Sequence, residues 1–127
     1  MKSLAPNLMV KNVNETLDFY TTILGFSKIA TVPDSGKFDW AMVQNGVVMF
    51  MFQEKENIKI EYPQLEKFEQ GGGLTFYISV TNVQELFNNL EGKVKIVKEM
   101  HKTFYGATEF AIEDNNSYIL TFSQNIT

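Results

Sequence analysis

Cysteine is absent from the 127 residues, and histidine and tryptophan occur once each, as His101 and Trp40. Without cysteine there is no disulfide, no thiol nucleophile and no thiolate metal site. With a single histidine, no Ser-His-Asp arrangement can be argued from the sequence. Positive charge is also short: 11 Lys and Arg against 15 Asp and Glu give a formal charge of −4. Phosphate backbones are gripped by clustered cations, so no nucleic-acid partner is expected. The densest basic stretch, Lys93–Lys102, is interrupted by Glu99. Long apolar runs are missing too. Gly46–Phe52 reads as a buried strand and falls far short of the ~20 residues that span a bilayer. Met1–Leu8 holds no signal-like apolar run, and the helices are short and not basic, so a cytoplasmic protein with no membrane partner is expected. Gly71-Gly72-Gly73 lacks the Lys-Ser/Thr of a phosphate-binding loop.

What is present is the composition of an ordinary globular protein, 44% hydrophobic and 20% charged. The length suits one domain, 1–127, able to bury a core without staples. Shifted against itself by 70 residues, the chain matches identically at Leu4/Leu74, Val10/Val80, Asn12/Asn82, Val13/Val83, Glu15/Glu85, Lys28/Lys98, Gly36/Gly106, Ala41/Ala111, Asn45/Asn115 and Phe52/Phe122. Chance would give roughly three, so a duplicated unit is inferred. Repeat one covers about 4–52, a linker about 53–73, and repeat two about 74–122.

Each repeat reads β-α-β-β-β. In the first, a strand over Ala5–Val10 leads to Asn12, whose side-chain oxygen suits a helix N-cap. Val13, Leu17, Tyr20 and Leu24 form an apolar helix face, and Gly25 ends it. Strands are expected at Ser27–Val32, Phe38–Gln44 and Val47–Gln53, with a hairpin turn at Asn45-Gly46. In the second, Leu74–Val80 is a strand, Asn82 caps a helix ending at Gly92, and strands follow at Val94–Glu99, Thr108–Glu113 and Tyr118–Ser123, with a turn at Asn115-Asn116. The linker contains Pro63 and is expected to hold a short helix near Gln64–Glu69.

The run from Val10 to Tyr20, followed by Leu24-Gly25-Phe26, resembles the opening helix of the vicinal-oxygen-chelate group, the glyoxalase, bleomycin-resistance and extradiol-dioxygenase proteins. Tyr105-Gly106, Glu109-Phe110 and Asp114-Asn115-Asn116-Ser117-Tyr118 resemble its closing hairpin. The resemblance implies an α+β fold of two tandem βαβββ repeats whose mixed sheets curl into a ligand-enclosing cup, and it implies a homodimer. Family enzymes commonly hold a divalent metal through His, Gln and Glu at fixed strand positions. Here those positions fall on Ala5, Met51, Thr75 and Thr121, none a usual donor. The resemblance therefore points to the metal-free, bleomycin-resistance-like branch, with no metal and no cofactor expected.

Strand alternation places Asn7, Thr75, Tyr77, Ser79 and Thr121 on the face that bears those positions. Trp40, Phe50, Phe104 and Tyr105 add rings suited to a flat or amphipathic ligand. Glu109 is either a cup-facing carboxylate for a cationic ligand or proton, or a solvent-facing one; at the same offset it matches Asp39. His101, expected just after the sixth strand, is either a general base or a loop residue. The leading expectation is a protein that binds, and sequesters, a small amphipathic or aromatic molecule through Asn7, Trp40, Phe50, Thr75, Tyr77, Phe104, Tyr105, Glu109 and Thr121. The alternative is a lyase, isomerase, hydrolase or dioxygenase-type enzyme using Glu109, His101 or Tyr105, or a metal held elsewhere. A third is an interaction module whose apolar face serves assembly.

Overall fold

The computed structural model describes residues 1–125, so the last two residues of the 1–127 domain reading lie outside the described residues. The chain forms two compact units, Met1–Gly72 and Gly73–Thr127, each α+β with its own four-stranded mixed sheet. The first contains β1 (Asn7–Val10), α1 (Val13–Asp18), β2 (Ser27–Val32), β3 (Trp40–Asn45), β4 (Val48–Glu54) and α2 (Lys55–Glu61). The second contains β5 (Thr75–Ser79), α3 (Val83–Leu90), β6 (Lys95–Lys102), β7 (Ala107–Glu113) and β8 (Ile119–Asn125). Strand order is β1-β4-β3-β2 in one and β5-β8-β7-β6 in the other. The outer β1 and β5 pair parallel to β4 and β8, and the remaining pairs are antiparallel. This is the duplicated βαβββ plan expected from the sequence. Among the described residues no helix is long and apolar enough to cross a membrane.

α1 and α3 start as their sequences dictate. Asn12 Oδ1 accepts the Glu15 N–H at 2.9 Å, and Asn82 Oδ1 accepts that of Glu85 at 3.0 Å. Each bond satisfies one amide that the first helical turn leaves unpaired. Asn12→Ala or Asn82→Ala should therefore cost about 1 kcal/mol, read as a lower denaturation midpoint.

Alternation then sorts the side chains. In the first sheet Leu8, Ala41, Val43, Phe50 and Phe52 are buried toward α1 and the π-helical turn that extends it, Phe19–Ile23, where Tyr20 lies 5.6 Å from Phe50 and 4.7 Å from Phe52 between ring centroids. In the second, Phe110 meets Phe87 of α3 at 5.1 Å and Phe122 at 5.3 Å. The face turned away from these helices carries Met9, Trp40, Met42, Met49, Met51 and Gln53 in the first sheet, and Thr75, Tyr77, Glu109, Thr121 and Ser123 in the second.

Four details depart from expectation. The uniform offset of 70 holds between β1/β4 and β5/β8, since Asn7 sits opposite Met51 as Tyr77 sits opposite Thr121. It fails at the third strand: Gln53 faces Trp40, whereas its match Ser123 faces Glu109. The cause is turn length. Gly46 and Val47 alone join the paired Asn45 and Val48, with Gly46 at φ +60 in a positive-φ first turn position. In the second unit Asn115, Asn116 and Ser117 separate Asp114 from Tyr118, whose carbonyl accepts the Asp114 N–H at 2.9 Å. The counterpart of Glu109 is therefore Trp40 and not Asp39. The first hairpin turn is accordingly Gly46-Val47, one residue later than expected. The helix after β4 forms at Lys55–Glu61, leaving only a 3-10 turn, Pro63–Leu65, near the expected segment. Finally, β6 runs three residues past Glu99 and takes in His101.

Candidate functional site

In the second unit, β7 delivers Glu109 to the face away from α3, where it is only 4% exposed. An isolated buried carboxylate is costly, and this one is compensated by hydroxyls. Tyr77, from β5, donates to Glu109 Oε2 at 2.5 Å, and Tyr105, from the turn before β7, donates to the same oxygen at 2.7 Å. Ser123 Oγ, on the neighbouring β8, lies 2.7 Å from Tyr77 Oη. Burial pushes the Glu109 carboxyl up, but the hydrogen bonds from Tyr77, Tyr105 and Ser123 and the charge of His101 outweigh it, so its pKa lies below the ordinary carboxylate value. The Tyr105 phenol is pushed up to about 12, first by its bond to Glu109, then by burial and by Tyr77. At neutral pH the cluster thus holds one fixed negative charge among protonated hydroxyls.

His101 sits directly across from Glu109 in the β6–β7 pairing. Its Nδ1 lies 2.8 Å from the Glu99 carbonyl, which can only accept, so Nδ1 carries the proton. Thr75 and Thr121 lie on the same face, while Phe104 is fully exposed and packs edge-on to Tyr105 at 5.0 Å.

The first unit builds a different environment at the corresponding place. Four methionines and Trp40 pave the face, and Gln53, 6% exposed, is its polar centre. Asn7 donates to Gln53 Oε1 at 2.8 Å, and Gln53 Nε2 donates to Asn57 at 2.8 Å and Glu61 at 2.9 Å. These bonds tie β1 and β4 to α2. Beside them lies a cavity of about 320 Å³ whose lining includes Asn7, Trp40 and Gln53. Phe50, expected as a ligand contact, is instead 2% exposed in the core, packed edge-on to Tyr20 and tilted against Phe26 on the α1 side. Alternation had separated Phe50 from Met51 without telling which of them the helix would take.

The structure therefore brings together Tyr77, Tyr105 and Glu109 in the second unit, and Asn7 and Trp40 in the first. Sequence reasoning missed Ser123, Gln53, Asn57, Glu61 and Tyr62. Gln53 and Ser123 had a signal: they are matched residues on β4 and β8, two beyond Met51 and Thr121 and so on the same face.

At the positions where family enzymes hold metal, Ala5, Met51, Thr75 and Thr121 supply a methyl, a thioether and two hydroxyls, which do not fit a Zn, Mn or Ni centre. Among the described residues no three His, Asp or Glu side chains gather as a metal would require.

No curated protein matches the sequence significantly. Among solved structures, a protein of unknown function from Agrobacterium tumefaciens superposes with a TM-score of 0.81 at 16% identity, over 99% of this chain and 95% of that one. A glyoxalase/bleomycin resistance protein/dioxygenase from Nocardioides gives 0.78 at 12%, over 99% and 85%. The bleomycin-binding protein of Streptomyces verticillus, complexed with copper(II)-bleomycin, gives 0.67 at 19%, over 99% and 98%. At these identities the likeness is one of fold. The sequence itself matches the model of the Glyoxalase/Bleomycin resistance protein/Dioxygenase superfamily over residues 3–122, and the chain belongs to that superfamily.

Proposed function

We propose that this protein binds a small molecule with an aromatic or apolar body and sequesters it without a metal. The observation that carries this reading is the paving of the first sheet away from α1. Met9, Met42, Met49, Met51 and Trp40 share that face, and α1 packs on the other. Thioethers are polarizable and adaptable, and a ring among them offers a stacking surface, with the Gln53 amide network supplying orientation. Support also comes from the Streptomyces verticillus protein, which shares the fold and holds copper(II)-bleomycin. In the second unit the ionised Glu109 and the protonated tyrosines suit holding a ligand better than moving protons. A base works best with its pKa near the working pH, and Glu109 is shifted the wrong way.

The test is a titration of the purified protein with a panel of amphipathic and aromatic compounds, bleomycin among them, following Trp40 fluorescence, with mass spectrometry of the recovered ligand. Saturable binding with ligand returned intact is expected. A Trp40 signal and amide resonances that respond to none of the panel would end the reading, and so would a stoichiometric transition metal in the purified protein.

A second reading, an enzyme of the same superfamily, is favoured by one observation: His101 and Glu109 face each other across β6 and β7, with Tyr77 and Tyr105 bonded to the carboxylate. Chemical conversion of a bound ligand, lost in His101→Gln, would establish it.

A further inference from the structure

We propose that the cavity of the first unit is a binding site for an organic ammonium, a cationic nitrogen carried on an apolar or aromatic body. The inference deepens the small-molecule reading and rests on it. The cavity, about 320 Å³, lies at the low end of the range for small-molecule pockets. Its walls are two rings, Trp40 at the start of β3 and Tyr62 just after α2, and two carboxylates, Asp39 and Glu61. No lysine lines it.

Three features select a cation. First, neither Asp39 nor Glu61 takes part in the ion pairs seen among the described residues, Lys55 with Glu69 and Lys95 with Glu113. Second, the buried amide that could have donated to a ligand is already committed. Both Gln53 N–H groups are taken, by Asn57 and by Glu61, so Gln53 fixes the Glu61 carboxylate in place and contributes no free donor. The charged part of the lining is made of acceptors only, which favours a ligand that donates or carries positive charge. Third, Trp40 and Tyr62 both line the cavity, and a cation over an aromatic ring gains from the ring quadrupole while its apolar body gains from contact with the rings and with Val32. An anion would meet two carboxylates and no compensating charge.

The duplication sharpens the assignment. The counterpart of Trp40 is Glu109, which two tyrosines and a serine already surround. The two units therefore differ at the same position: the second places there a carboxylate that its own hydroxyls satisfy, and the first places a ring at the wall of a cavity.

The experiment compares 2-phenylethylammonium, 2-phenylethanol and phenylacetate, which share a body and differ in head-group charge. Binding is read by Trp40 fluorescence and by amide chemical shifts of β3, β4 and α2. The ammonium is expected to bind about tenfold more tightly than the alcohol and to weaken with added salt, with no measurable binding of phenylacetate. Asp39→Asn with Glu61→Gln should bring the ammonium to within about twofold of the alcohol. Tyr62→Leu, at a half-exposed position where folding is not at stake, should weaken the ammonium more than the alcohol. Equal binding of ammonium and alcohol would overturn the charge assignment and leave the small-molecule reading standing. An ammonium preference that survives both carboxylate substitutions, or shifts confined to β7 and β8, would also overturn it. Absence of binding by all three probes, with no ligand found in the wider panel, would remove both.

Discussion

Replacing Phe52 with alanine should lower the stability of the protein by about 3–5 kcal/mol, a large share of the 5–15 kcal/mol typical of a folded domain. Phe52 has no exposed surface, and its ring lies 4.7 Å from that of Tyr20 and 6.5 Å from that of Phe50. On either side in the sheet it is flanked by Leu8 and Ala41, both buried. Ala41 is too small to expand into the space, and Tyr20 is held from behind by Phe26 at 5.5 Å. The hole left by the ring therefore stays open, and its lining loses both transfer energy and contacts. Met51 is the control. It is the next residue on the same strand but points to the other face, where it is half-buried. Met51→Ala should cost about 1–2 kcal/mol, below the range for a fully buried side chain. Denaturant midpoints of the two variants, measured side by side, check the assignment of faces. Equal losses would mean that β4 is buried alike on both faces and that the methionine paving is ordinary core.

That contrast marks what the sequence could convey. Alternation showed that residues 50 and 52 part company with 49 and 51, and the capping residues and Gly25 and Gly92 fixed where the helices begin and end. The sequence could not choose the face that meets the helix, because both are apolar: phenylalanine on one, methionine on the other. The choice comes from Tyr20, whose ring fills the gap between α1 and Phe50. The register slip was hidden for a different reason. Asp114 accepts from the N–H groups of Asn116 and Tyr118 at 2.8 and 2.9 Å, and Ser117 adopts φ +70. This turn holds three residues where the first unit has two, and an ungapped comparison cannot register one extra residue between paired strands. α2 escaped notice because its cap is Glu54, whose carboxylate accepts from Glu56 and Asn57, and glutamate is not among the strong capping residues. Its apolar residues also give no period, since Ile58 is buried and Ile60 is exposed. The cavity depends on this helix, so Glu61 and Tyr62 were out of reach.

The second large effect is expected at Glu109. Glu109→Gln should destabilise the protein by about 1.5–3 kcal/mol at neutral pH, the range for hydrogen bonds to an ionised group. The substitution keeps the shape and one acceptor oxygen but removes the charge that the hydroxyls of Tyr77 and Tyr105 share at Oε2. The cost is not larger because both rings are about half exposed, at 55% and 53%, and their hydroxyls can turn to water. The pH dependence has a definite sign. The folded-state pKa of Glu109 lies below its ordinary value of 4.5, so ionisation stabilises the folded chain. That contribution is complete above the unfolded value and is lost as pH falls through the depressed folded value. The stability gap between the parent and Glu109→Gln should therefore persist down to about pH 5 and close below about pH 4. Were burial the stronger influence, the pKa would be raised, and the parent would instead gain on the variant as pH fell from 7 toward 4. Denaturation curves across this range, with the carboxyl carbon of Glu109 titrated by NMR, distinguish the two. The outcome bears directly on function. A carboxylate with a lowered pKa is a fixed charge and a poor base at neutral pH, which weighs for the proposed binding reading over the enzyme reading.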